Sequence, residues 1–152
     1  MFKAFLRTDN SSAQLFIRLA LGVVIFPHGA QKVFGWFGGQ GVQKTIEVFA
    51  SMGFPAWSTA CLMIVETLGA VLLVGGFLTR LWALGIGASL SICMYLYHLQ
   101  HGFFMNWLGQ QKGEGFEYHI LALGICLALL IRGGGALSVD RGLAQETNRY
   151  RY

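Results

Sequence analysis

Four histidines, one mid-segment glutamate and one lysine are the side chains of this 152-residue chain best placed to do chemistry in apolar surroundings. His28 and Lys32 stand about one helical turn apart inside an apolar run. Glu66 is the only formal charge of a second run, His98 and His101 close a third, and Glu117 and His119 open a fourth. Gathered in one pocket, a carboxyl and several imidazoles could bind a polar-headed lipophile such as a quinone. They would hydrogen-bond its carbonyl oxygens and move the protons that accompany two-electron reduction. Imidazole also suits copper, zinc or haem iron, so a haem- or metal-binding protein is the competing chemistry. The spacing gives metal weak support: there is no HExxH, no Glu-x-x-His pair and no Cys/His cluster in the sequence. Cys61, Cys93 and Cys126 each sit in an apolar run without a CxxC pair and read as small packing residues.

The elements that must position these groups follow from composition. The chain is 55% hydrophobic, only 12% charged, and has a mean hydropathy of +0.55. About 25% charged residues is usual for a soluble domain. Too little charge is present to coat a water-facing surface, which argues against a soluble enzyme, a disordered tail and a nucleic-acid binder. The basic residues behind the net charge of +4 gather at chain ends and turns rather than along a stripe. The composition is that of an integral membrane protein.

A membrane helix needs about 20 mainly apolar residues. Four segments meet or approach this: residues 13–35, 57–78, 81–100, and a fourth from residue 117 that needs Arg132 and the glycines after it to complete the crossing. The expected fold is all-α, a four-transmembrane-helix bundle. Residues 1–12 and the basic residues 141–152 form tails, and residues 13–140 form the membrane domain. Arg18 interrupts what could otherwise mimic a signal peptide, so the first segment reads as a retained anchor. Between the first two spans, Val42, Ile46, Phe49 and Ala50 recur at helical spacing opposite Gln43, Lys44, Glu47 and Ser51, which predicts a short interfacial helix.

Lys3, Arg7, Arg80, Arg132, Arg141, Arg149 and Arg151 fall on one side of this topology, against Lys32, Lys44 and Lys112 on the other. The positive-inside rule then puts both termini in the cytoplasm. At about 1.5 Å rise per residue, all four histidines and Glu66 lie in the outer half of the bundle. Ionisable groups inside a span usually face a cavity and find a partner, which makes His28 and Glu66 the expected proton-handling pair. Lys32 is then an electrostatic tuner, and His98, His101, His119 and Glu117 form the rim of the cofactor site. Interfacial anchoring explains His98 and His101 about as well. Arg18 lies at a depth similar to Asp140, so a structural Arg18–Asp140 bridge is expected near the cytoplasmic end.

Several motifs in order resemble the DoxX family of small bacterial membrane proteins. They are Arg18, Gly22, Phe26, His28, Gly29 and Lys32; Met52-Gly53-Phe54-Pro55; Glu66 and Gly69; and Gly76-Phe77-Leu78-Thr79-Arg80. Gly102-Phe103-Phe104-Met105-Asn106, Glu117-Tyr118-His119 and the stretch from Gly133 to Asp140 extend the likeness over most of the chain. The resemblance implies a four-helix protein of the bacterial inner membrane. It also implies an association with membrane oxidoreductase complexes, one of them quinone-linked, but carries over no catalytic residue. A redox partner protein is expected because the sequence shows neither a dinucleotide fingerprint nor an iron–sulfur cysteine pattern. The function expected is a quinone-interacting subunit of a membrane oxidoreductase system seated in the lipid bilayer, with self-association into a homo-oligomer left open. The rivals are a haem- or metal-binding membrane protein and a non-enzymatic scaffold.

Overall fold

Apolar runs of this length, almost without proline, can satisfy their backbone groups in lipid only by coiling. A computed structural model of the chain describes residues 6–149, with side chains through residue 145. Lys3 and Arg151 of the charge count lie outside the described residues. Helix α1 spans Ala13–Phe34 and a short turn, Trp36–Gly38, follows it. Helix α2, Gly41–Ser51, is the short helix predicted between the first two spans. Helix α3 runs Ala56–Gly75 and α4 runs Thr79–His101. Helix α5 spans Glu117–Arg132 and α6 Val139–Arg149. No strand occurs among the described residues.

Among the described residues three helices, α1, α3 and α4, are long and apolar enough to cross a membrane. Helix α5 has 16 residues, about 24 Å of helix against a hydrocarbon core of roughly 30 Å. It falls short of the expected fourth span because the chain leaves the helix at Gly133, whose φ of 75° no helix accepts, with Gly135 following at the same φ. The helices turn large apolar side chains outward: Val23, Ile64, Leu84 and Leu121 are each at least half exposed. Such surfaces suit hydrocarbon as solvent, and the chain is a membrane protein. Inside, Leu21 and Ile25 of α1, Ala70 and Leu73 of α3, Ala83 and Ile86 of α4, and Ala122, Cys126 and Leu129 of α5 form one core.

The arginine-rich end is clamped by side chain to backbone bonds. Arg18 is fully buried, and its guanidinium donates to the Val74 carbonyl (2.7 Å) at the end of α3 and to the Leu137 carbonyl (3.3 Å). Asp140 accepts from the backbone N–H groups of Leu78 (2.7 Å) and Thr79 (2.9 Å) and so caps the start of α4. The two residues meet at one corner as expected, but through backbone groups: the ion pairs among the described residues are Lys32–Glu66 and Arg132–Asp9. Helix ends leave unpaired carbonyl and N–H groups, and these claim a buried arginine and aspartate ahead of each other. Arg80 similarly donates to the Leu130 carbonyl at 2.8 Å and the Ile131 carbonyl at 3.1 Å. The described parts of the two segments expected as tails carry structure of their own. Asp9 pairs with Arg132 at 3.3 Å, and residues 139–149 are helical.

Candidate functional site

Helix α3 is not a plain α-helix. Val65–Gly69 forms one π-turn, and Glu66 sits in it. Such turns are rare and concentrate at functional sites, because the extra residue re-aims side chains. Helix α1 crosses here at Gly29: a Cβ at that position would lie 2.5 Å from the Glu66 carbonyl carbon and 2.6 Å from the Thr67 nitrogen. Only glycine permits this approach. It brings Lys32, one turn further along α1, to Glu66, with Nζ 2.6 Å from Oε2 and 3.1 Å from the His28 carbonyl oxygen. Both side chains are mostly buried, 21% and 14% exposed.

The pair faces a cavity of about 280 Å³ between α3 and α4. Phe49 of α2 and Phe54 also line it, Val65, Ile92 and Leu96 supply apolar wall, and Ser58, Ser89 and Tyr97 add hydroxyls. An apolar chamber with one ion pair and a few hydroxyls fits a lipophile that carries a polar head.

Cys93 lines the same cavity, from α4. Directly after it Met94–His98 forms a second π-turn. One donor atom each of Cys93, His98 and His119 lie within 4.8 Å of one another. The two imidazole rings are 4.3 Å apart, centroid to centroid. Nδ1 of His98 lies 2.9 Å from the Glu114 carbonyl oxygen, which only accepts, so Nδ1 carries the proton and donates. His119 is 5% exposed, and its Nδ1 has no hydrogen-bond partner.

The sequence-expected residues therefore separate into groups. Glu66 and Lys32 meet at the cavity, whereas the side chain of His28 turns to the exposed surface, and only its carbonyl reaches Lys32. His98 and His119 come together, while His101 packs against Gly113 of the loop before α5. Glu117 is a loop organiser: its Oε1 accepts from the Met105 N–H (3.1 Å) and the Trp107 indole N–H (3.3 Å). Sequence reasoning missed Cys93 and the aromatic wall of the cavity, because both depend on how helices meet.

The family model for DoxX matches residues 13–99. Over 126 residues the chain is 29% identical to the Bacillus subtilis (strain 168) protein named "Putative oxidoreductase CatD", a match covering 83% of each chain. No solved structure matches.

Proposed function

The chain belongs to the DoxX family, and from that premise we propose that it is the quinone-binding membrane subunit of an oxidoreductase system. The observation that carries this reading is the Lys32–Glu66 pair at 2.6 Å in the wall of an otherwise apolar cavity. A quinone ring passes from the lipid into such a space through close packing against its apolar lining, and its carbonyl oxygen takes a hydrogen bond from the Lys32 ammonium. Glu66 stands where a proton would be handed on as the ring is reduced. The relative named an oxidoreductase supports the class of reaction. The electrons come from a redox partner protein, since the sequence has neither a dinucleotide fingerprint nor a paired-cysteine cluster motif.

In this reading α5 completes a fourth crossing with help from local thinning of the bilayer. Its outward Leu121, Leu127 and Ile131 are more than half exposed, as lipid-facing residues are. The Arg18, Arg80 and Arg132 end faces the cytoplasm of the bacterial inner membrane, and the cavity lies toward the opposite side.

The test is a titration of the purified chain, in detergent, with a short-tailed ubiquinone and a short-tailed menaquinone. Glu66→Gln and Lys32→Met should each weaken binding about tenfold, the loss of one charge-assisted hydrogen bond. His28→Asn should bind as the wild type does. Absence of binding by the wild type, or equal binding by Glu66→Gln, refutes the proposal.

A further inference from the structure

We propose that Cys93, His98 and His119 form a binding site for a single transition-metal ion of the zinc and copper class, beside the cavity that Cys93 lines. The site is distinct from the Lys32–Glu66 pair and does not depend on the quinone reading.

Register brings the first two ligands together. Along a plain α-helix, residues five apart are rotated by about 140° from one another, so Cys93 and His98 would face different ways. The π-turn Met94–His98 bonds residue i to i+5, which returns His98 toward the side from which Cys93 projects. The third ligand comes from α5, where His119 is buried two residues into the helix.

The donor set has the chemistry of a thiophilic ion. One thiolate and two imidazoles suit zinc and copper, whereas magnesium and calcium prefer oxygen ligands. Zinc binds nitrogen at about 2.0–2.1 Å and sulfur at about 2.3 Å, so the donor atoms of such a tetrahedral set stand roughly 3.3–3.6 Å apart. The donors within 4.8 Å need to close by about 1 Å, within reach of small side-chain rotations. The rings at 4.3 Å leave no room for a porphyrin to pass between them, so the pair fits one ion rather than axial haem ligation.

Two further features point to a ligand. The Glu114 carbonyl fixes the proton of His98 on Nδ1 and leaves the Nε2 lone pair free, the outer hydrogen bond that orients metal-binding histidines. His119 is more than nine-tenths buried with an unpartnered Nδ1. A buried polar atom without a partner is costly, and a metal bound at that nitrogen would offset the cost. On binding, the Cys93 thiol gives its proton to solvent, and the sulfur–metal bond replaces the S–H bond.

The experiment uses the purified full chain in detergent, stripped with a chelator, and three probes in separate arms: zinc(II), copper(I) and cobalt(II). About one equivalent of zinc or copper should bind with release of about one proton, and cobalt should give a thiolate charge-transfer band in the near ultraviolet. Cys93→Ser should abolish that band, and His98→Asn and His119→Asn should each weaken binding at least tenfold. His28→Asn should bind as the wild type does. A second measurement needs no variant: metal should shield Cys93 from a maleimide while the exposed Cys61 remains reactive, read by peptide mass spectrometry. Absence of stoichiometric binding in every arm overturns the site, as does binding that leaves Cys93 unshielded. Quinone titration of the same stripped protein reports on the Lys32–Glu66 site separately, so either proposal can fail while the other stands.

Discussion

Gly29 offers the sharpest test of how the helices build the cavity. An added Cβ would lie 2.5 Å from the Glu66 carbonyl carbon and 2.6 Å from its oxygen and from the Thr67 nitrogen. These are backbone atoms and cannot swing aside, so α1 must move away from α3 by about 0.9 Å to reach ordinary contact. Overpacking of this kind costs about 1–3 kcal/mol. The same displacement draws Lys32 off Glu66, carrying a 2.6 Å contact to roughly 3.5 Å, beyond hydrogen-bond range. Gly29→Ala should therefore lower the melting temperature by about 2–4 °C per kcal/mol lost and weaken quinone binding together. Gly124→Ala is the matched control, since a Cβ there meets nothing within 4 Å. In a helix that change should be neutral or stabilising by up to about 1 kcal/mol. Circular dichroism melts and quinone titrations of the two variants in one detergent provide the comparison. Equal melting of Gly29→Ala and wild type, with unchanged binding, would refute the close-approach reasoning.

The clamp at the other end gives further expectations. Gly76→Ala should cost about 1–3 kcal/mol, because the residue holds a φ of +69° and its Cβ would press on Arg18 Nη1 and Ser138; a thermal melt reads this. Asp140→Ala should remove the cap on α4 and cost about 1–2 kcal/mol, with Asp140→Asn recovering part of it. Both variants should leave quinone affinity unchanged, since the clamp shares no residue with the cavity. Glu117→Ala removes the acceptor for the Met105 N–H and the Trp107 indole. It should speed amide hydrogen exchange over residues 103–109 and alter tryptophan emission; protection equal to the wild type would show that the carboxylate does not order the loop.

What could be read in the sequence was whatever rests on period and composition. The apolar runs gave the three long helices, and the pattern Val42, Ile46, Phe49 gave α2 close to its observed limits. The need of Glu66 for a partner was legible from the cost of burying a carboxylate. Its choice of Lys32 over His28 was not, because it depends on the crossing point at Gly29. Arg18 and Asp140 were placed at one corner by depth alone, yet depth says nothing about the backbone groups at helix ends that compete for them. The end of the fourth helix was not legible, because residues 133–135 look small and apolar while Gly133 and Gly135 take positive φ and lead the chain out of the helix.

The least legible feature is also the one the two proposals share. Both π-turns insert one residue into an otherwise regular helix, and no propensity marks Val65–Gly69 or Met94–His98 in advance. Read with a constant period of 3.6, Cys93 belongs to a packing face and His98 to another. A π-turn gives up regular backbone bonding, and in lipid there is no water to satisfy what is left unpaired. One such irregularity could be an accident of packing. Two of them, on neighbouring helices that both line the same cavity, hold Glu66 in one case and link Cys93 to His98 in the other. Packing alone would be served as well by uninterrupted helices, so the departures are best understood as setting the direction of these polar side chains. Fold and candidate chemistry therefore meet in the register of α3 and α4.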